Sequence, residues 1–128
     1  MQFQLKSPIP GFDNIKIVKL EKIDDFFTRL ISCDDNTSFM LINPFLLRTY
    51  DFEVPEYFKN ILDLEEDTKT LVYNIMIIAT PIESSTINFI APFMFNIDKK
   101  IAAQVLLDTN KYTNFGIMEN ISNYLEKK

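Results

Sequence analysis

A chain of 128 residues with 47% hydrophobic residues, twelve phenylalanines and a net charge of −5 has the length of one domain and the apolar material for its core, which sets aside global disorder. The absence of histidine excludes imidazole acid–base catalysis, histidine triads and histidine-ligated metal sites, and two glycines, Gly11 and Gly116, are too few for a phosphate loop or a dinucleotide fingerprint. The acid excess, with no dense basic patch beside it, repels free nucleic acid.

Short runs of β-branched and aromatic residues, separated by Pro, Asn and Asp clusters, dominate the chain and predict strands. The first four are Phe3 to Lys6, Ile15 to Leu20, Phe27 to Ser32 and Ser38 to Asn43. Met1 to Lys6 shows no basic region followed by an apolar run, so no secretory signal is read there and a cytoplasmic location is expected. The single cysteine, Cys33, has no internal disulfide partner and no basic sequence neighbour to activate it, and reads as an ordinary thiol. Val54-Pro55-Glu56 places a proline where a first helical turn accepts it, after which Phe58, Ile61 and Leu62 share a face and predict a short helix. Acid then concentrates at Asp63-Leu64-Glu65-Glu66-Asp67.

Leu71 to Thr80 is apolar on nearly both parities, which a strand tolerates only when both faces are covered, so it is expected at the centre of the fold. Thr86 to Ile90, Phe93 to Ile97 and Ile101 to Leu107 complete the expected strands; in the last, Gln104 opposes Ile101, Ala103, Val105 and Leu107 in parity, as in a half-buried antiparallel strand. Ile117, Ile121, Tyr124 and Leu125 recur at helical spacing before Lys127-Lys128 and predict a second short helix. The longest apolar stretches, such as Ile75 to Ala79, fall far short of the ~20 residues that cross a bilayer, so no membrane partner is expected. The sum is a mainly β, single-domain antiparallel barrel-like fold over residues 1–128 with one or two short helices, because closure removes exposed edges.

No catalytic, metal or cofactor set stands out. Carboxylate pairs such as Asp24-Asp25, Asp34-Asp35 and Glu65-Glu66 sit in turn-like sequence and read as solvated loops. The unusual feature is amides in apolar surroundings: Asn43, Asn88, Asn96 and Gln104. Buried amides need partners, and these serve equally as ties for loop backbone or as recognition groups. Phe45, Phe52, Phe89 and Phe93 fit a core better than an interface, whereas Tyr50, Tyr57 and Tyr112 suit either. Apart from a macromolecule-binding role, two function classes stay open: a small-molecule-binding barrel or carboxylate-dependent enzyme, and an oligonucleotide-binding barrel, which the acid excess opposes.

Pro8-Ile9-Pro10-Gly11-Phe12-Asp13, Phe39 to Phe45, Tyr50-Asp51-Phe52, Asn88 to Asn96 and Ala103-Gln104-Val105-Leu106-Leu107, taken in this order, resemble the flagellar assembly factor FliW family over nearly the whole chain. The resemblance implies a small β-barrel-like protein, not an enzyme, that binds newly made flagellin in the cytoplasm and, in competition, the translational repressor CsrA, without a cofactor. Its implied partner surface is the loop of Asn43, Pro44 and Phe45 with Tyr50, Phe52, Asn88, Phe89, Pro92, Asn96 and Gln104, and Glu65 and Glu66 offer charge to the basic repressor. Two departures stand out: many members carry an additional N-terminal hairpin ahead of the Gly-Phe turn, and an arginine common after the tyrosine near the end is absent from Tyr112-Thr113-Asn114-Phe115.

Overall fold

Among the described residues, 1–124, the computed structural model has one α-helix, α1 (Glu56–Ile61), and nine strands. These are β1 (Gln2–Leu5), β2 (Ile17–Lys22), β3 (Phe27–Ser32), β4 (Ser38–Ile42), β5 (Thr70–Ile77), β6 (Thr86–Ile87), β7 (Phe93–Asn96), β8 (Ile101–Gln104) and β9 (Glu119–Asn120).

Strands β1 to β4 form an antiparallel meander, β4 pairs with β5, β5 with β7 and β7 with β8, and β8 returns to β1, closing a seven-stranded barrel. All these pairings are antiparallel save one: β1 and β8 run parallel, with Gln4 opposite Ile101 and Leu5 opposite Ala102. The exception to the antiparallel expectation has a counting origin. Directions that alternate around a ring of seven strands must repeat at one seam, because seven is odd. The seven residues before Pro8 suffice to supply the closing strand β1.

Local sequence fixes the connections. Ile9, Pro10, Gly11 and Phe12 match a type II turn: proline presets the first central position, Gly11 takes φ +84° at the second, and the Phe12 amide donates to the Ile9 carbonyl at 2.8 Å. Helix α1 ends in a Schellman pattern, in which Leu64 N–H donates to Lys59 O (3.0 Å), Asp63 N–H to Asn60 O (3.2 Å), and Asp63 adopts φ +53°.

Alternation distributes the apolar residues between two cores. Phe3, Val18, Leu30, Leu41, Phe93, Phe95 and Ala102 fill the barrel interior, joined by Leu71, Tyr73 and Ile75. The opposite parity, Val72, Met76, Met94 and Ala103, faces a second core on the outside, roofed by Phe58 and Leu62 of the α1 region and by Tyr50, Phe89, Phe115 and Ile121. All four residues of β7 are buried. The two-sided apolar character of β5 therefore reflects two covered faces.

Most expected strands shift by only one or two residues at an end, and four expected elements depart further. Strand β5 stops at Ile77 instead of Thr80, leaving Ile77 and Ile78 exposed. Strand β6 ends at Ile87 because the Asn88 side chain accepts the Ala91 amide (3.2 Å) and turns the chain. Strand β8 ends at Gln104, and its ladder continues irregularly as Val105 N–H donates to Pro92 O (2.7 Å) and Leu107 N–H to Ile90 O (3.0 Å). The expected C-terminal helix is absent from the described residues. Glu119–Asn120 instead extends to pair with β6, and Ile121–Asn123 forms a 3-10 turn, since the open edge of β6 offers backbone partners that a short helix would forgo. Leu125 and Lys127-Lys128 lie outside the described residues.

Interior aromatics carry much of the packing: Phe95 meets Phe3 edge-on at 5.0 Å and stacks on Phe93 at 5.1 Å. Phe95→Ala is expected to lower unfolding free energy by about 3–5 kcal/mol in urea denaturation. Ile78→Ala, on a side chain 55% exposed, should stay within about 0.5 kcal/mol of the parent.

Candidate functional site

The amides singled out in the sequence bond to backbone. Asn43 Oδ1 accepts the Phe45 amide (3.0 Å), Asn96 Nδ2 donates to Leu62 O (2.8 Å) while its Oδ1 accepts the Lys99 amide (3.1 Å), and Gln104 Nε2 donates to Ala91 O (3.4 Å). Asn96 thereby ties β7 to the end of α1.

Tyr50 is the hub of the outer core. Its ring lies within 5.7 Å of the rings of Phe52, Phe89 and Phe115, and its hydroxyl donates to Phe89 O and accepts from Asn74 Nδ2 at 3.1 Å. Asn74 Nδ2 also donates to Asn88 O (2.8 Å), so one buried tyrosine–asparagine pair holds the whole Asn88–Phe89 corner. Burial pushes the Tyr50 phenol up to about 12.

Burial sorts the residues expected at a partner surface. Pro44, Tyr50, Phe89, Pro92 and Asn96 are buried, and their side chains build the frame. Phe45, Glu65 and Glu66 are exposed; Asn43, Phe52, Asn88 and Gln104 are half-buried. The loop Asn43–Phe45, Tyr50, Phe52, Phe89 and Asn88 do converge on one outer corner, whereas Asn96 and the acidic residues belong to the other end of β5.

Asn88 and Gln104 flank a feature that the sequence did not announce. Where β5 leaves β7 to pair with β6, a shallow groove of about 190 Å³ opens, lined by Ile75, Ile77, Thr86, Asn88, Gln104, Ile117 and Met118. Ile77, Ile117 and Met118 are 60%, 63% and 65% exposed. Such a patch rimmed by amides is the form of a protein-binding surface. The only sequence signal was the apolar excess of 75–78, which the need for covered faces explained too completely.

The acidic loop is a separate surface. Glu65, Glu66 and Asp67 are exposed, and the loop is closed by Glu65 N–H donating to Thr68 Oγ1 (2.8 Å). Asp63 is already engaged by Lys99, whose pKa it raises by hydrogen bond and charge. This loop precedes the start of β5 and the groove lies at its end, so the eight-residue strand sets them roughly 23 Å apart at about 3.3 Å per residue.

Arg48, unremarked in the sequence, occupies a cleft beside the outer core. Its guanidinium carbon lies 5.1 Å from the Phe89 ring centre, 4.9 Å from Phe115 and 5.7 Å from Tyr124, and it pairs with Glu119 at 3.7 Å. An arginine thus does reach the Tyr112–Phe115 stretch, supplied from the loop after β4. None of these arrangements aligns a nucleophile with a base, and side chains fill the barrel interior.

The family model for FliW protein matches residues 1–115. A protein named flagellar assembly factor FliW 2 from Wolinella succinogenes is 50% identical over 125 residues, covering 97% of this chain and 92% of that protein. Flagellar assembly factor FliW from Sulfurimonas denitrificans is 48% identical over 128 residues, with coverage of 99% and 100%, and the namesake from Campylobacter lari is 43% identical over 129 residues, with coverage of 99% and 98%. A crystal structure of the flagellar assembly factor FliW superposes with a TM-score of 0.86 at 26% identity, covering 99% of this chain and 88% of that one.

The buried phenol makes stability fall at alkaline pH. Below pH 10.0 both folded and unfolded chains keep the Tyr50 proton; between 10.0 and about 12 the unfolded chain loses it first, so the stabilisation drains away as pH rises. Tyr50→Phe is expected to flatten that alkaline fall in denaturation midpoint, while costing about 1–3 kcal/mol at neutral pH because Phe89 O and Asn74 lose a partner.

Proposed function

The chain belongs to the FliW protein family, and on that premise we propose that it is a flagellar assembly factor, acting in the cytoplasm by binding flagellin and, in competition, a CsrA-type translational repressor. Free protein sequesters the repressor, so flagellin messenger is translated; accumulating flagellin draws the protein away and repression returns. No bond is made or broken, and binding needs no cofactor, nucleic acid or membrane. Among the described residues no helix is long and apolar enough to cross a membrane.

The observation that carries this reading is the pairing of an apolar groove with a remote acidic loop on one stable body. Ile77, Ile117 and Met118 offer the apolar contact that an amphipathic flagellin segment would seek, with Asn88 and Gln104 as polar flanks. Glu65, Glu66 and Asp67 offer charge to a basic RNA-binding protein. The corner formed by Asn43, Pro44, Phe45, Tyr50, Phe52, Phe89 and Pro92 leads into the groove-lining Asn88, and Phe45, 53% exposed and edge-on to Tyr50, is its accessible aromatic contact.

Separate surfaces give separable defects. Replacing Ile117 and Met118 with Asp is expected to weaken flagellin binding at least about tenfold by titration calorimetry with the fold intact; unchanged affinity would remove the groove from the interface. Glu65→Lys with Glu66→Lys should weaken repressor binding most at low salt and spare flagellin; equal affinity for the repressor at low salt would defeat that assignment. A pull-down that recovers neither protein would overturn the function itself.

A further inference from the structure

The stretch Gly116 to Tyr124 covers the outer edge of β6, yet little of it is buried. Ile121 is 5% exposed, whereas Ile117, Met118, Asn120 and Asn123 are open to solvent. Strand pairing is limited to Thr86 opposite Asn120 and Ile87 opposite Glu119, extended by Phe89 N–H donating to Gly116 O (2.9 Å) and Ile121 N–H to Ser85 O (2.8 Å).

Lateral hold comes chiefly from one cation among the described residues. Arg48 lies against the Phe89, Phe115 and Tyr124 rings, donates to Tyr124 Oη (3.1 Å) and Asn114 O (3.4 Å), and faces Glu119, whose carboxylate also accepts the Gly116 amide (2.6 Å) and the Tyr124 hydroxyl. A short edge strand with one buried aliphatic side chain opens far more readily than the barrel beneath it. What it would bare is a strand edge with unpaired backbone groups and an apolar seat, the two requirements for strand addition.

We propose that the outer edge of β6 is a strand-addition site, occupied in this state by the chain's own Gly116–Tyr124 segment, which a protein partner displaces with an extended stretch bearing an acidic residue two positions before an aliphatic one. The signature is read from the present occupant. Glu119 meets Arg48 and Ile121 fills the seat; the backbone is extended through Asn120 and the Ile121 amide still donates to Ser85 O, so the two side chains share a face as residues two apart on a strand do. Displacement also carries Ile117 and Met118 away from the apolar groove they line, so occupation of the β6 edge and occupation of the groove exclude each other. That consequence rests on the binding role given to the groove; the strand-addition site stands without it.

The test uses the full chain, amide hydrogen exchange and a synthetic peptide spanning Phe115 to Tyr124. Arg48→Lys keeps the charge and loses the planar fork, and is expected to speed exchange at the Phe89 amide at least about tenfold while the Phe95 and Ala103 amides hold their rates. Ile121→Ala, which leaves Arg48 in place, should give the same selective rise, so a general loss of stability in one variant does not decide the matter. The peptide should bind Ile121→Ala, in which Arg48 and the seat are intact, at least about tenfold more tightly than the parent, and a peptide with Glu119→Lys and Ile121→Asp should bind neither. Unchanged Phe89 exchange in both variants, or equal binding of the two peptides, overturns the proposal; failure to bind flagellin or the repressor bears only on the function proposed above.

Discussion

Strand β7 buries both of its faces and the middle of β5 packs against a core on each side, and the rest of the molecule is arranged around that constraint. A two-faced strand has no solvated side on which to discharge polar residues, so one parity must fill the barrel and the other must be roofed. Phe93 and Phe95 therefore enter the interior with Leu71 and Tyr73, while Met94, Val72 and Met76 require the cover of α1, Tyr50 and Phe115. The roof consists largely of irregular chain, whose backbone groups must find partners away from water. Asn96, Asn88, Asn74 and the Tyr50 hydroxyl provide them.

This division of labour explains why so many polar residues of the outer corner are structural. Tyr50 is the clearest case: a phenol pushed up to about 12 by burial resembles a tuned group, but its partners are a carbonyl and an amide, and no reacting group faces it. Outside that frame lie the apolar groove at the end of β5 and the acidic loop before its start. The barrel has no free edge of its own, and among the described residues the sheet extends beyond it at β6 with β9, beside the exposed Ile117 and Met118.

Arg48 joins these layers. Its charge is spread over three aromatic rings and one carboxylate in a partly desolvated cleft, where cation–π contact is worth more than on the open surface. It belongs to the loop after β4, yet its contacts are with the corner at Phe89 and the segment near the C-terminus. The stretch from Gly116 to Tyr124 is therefore positioned by a residue far from it in sequence.

The sequence by itself determined the class of fold, most strand positions, the short helix at Pro55 and the family likeness, since parity, turn chemistry and motif order are local properties legible along a chain. Tertiary structure alone decided the parallel seam between β1 and β8, which follows from an odd strand count, and the fate of Ile117 to Tyr124, where helical spacing lost to the open edge of β6. It also decided which candidate residues meet solvent. Phe89 and Ile117 are both apolar residues near turns, but one lies beneath the roof and the other outside it, and that difference is set by contacts between distant segments.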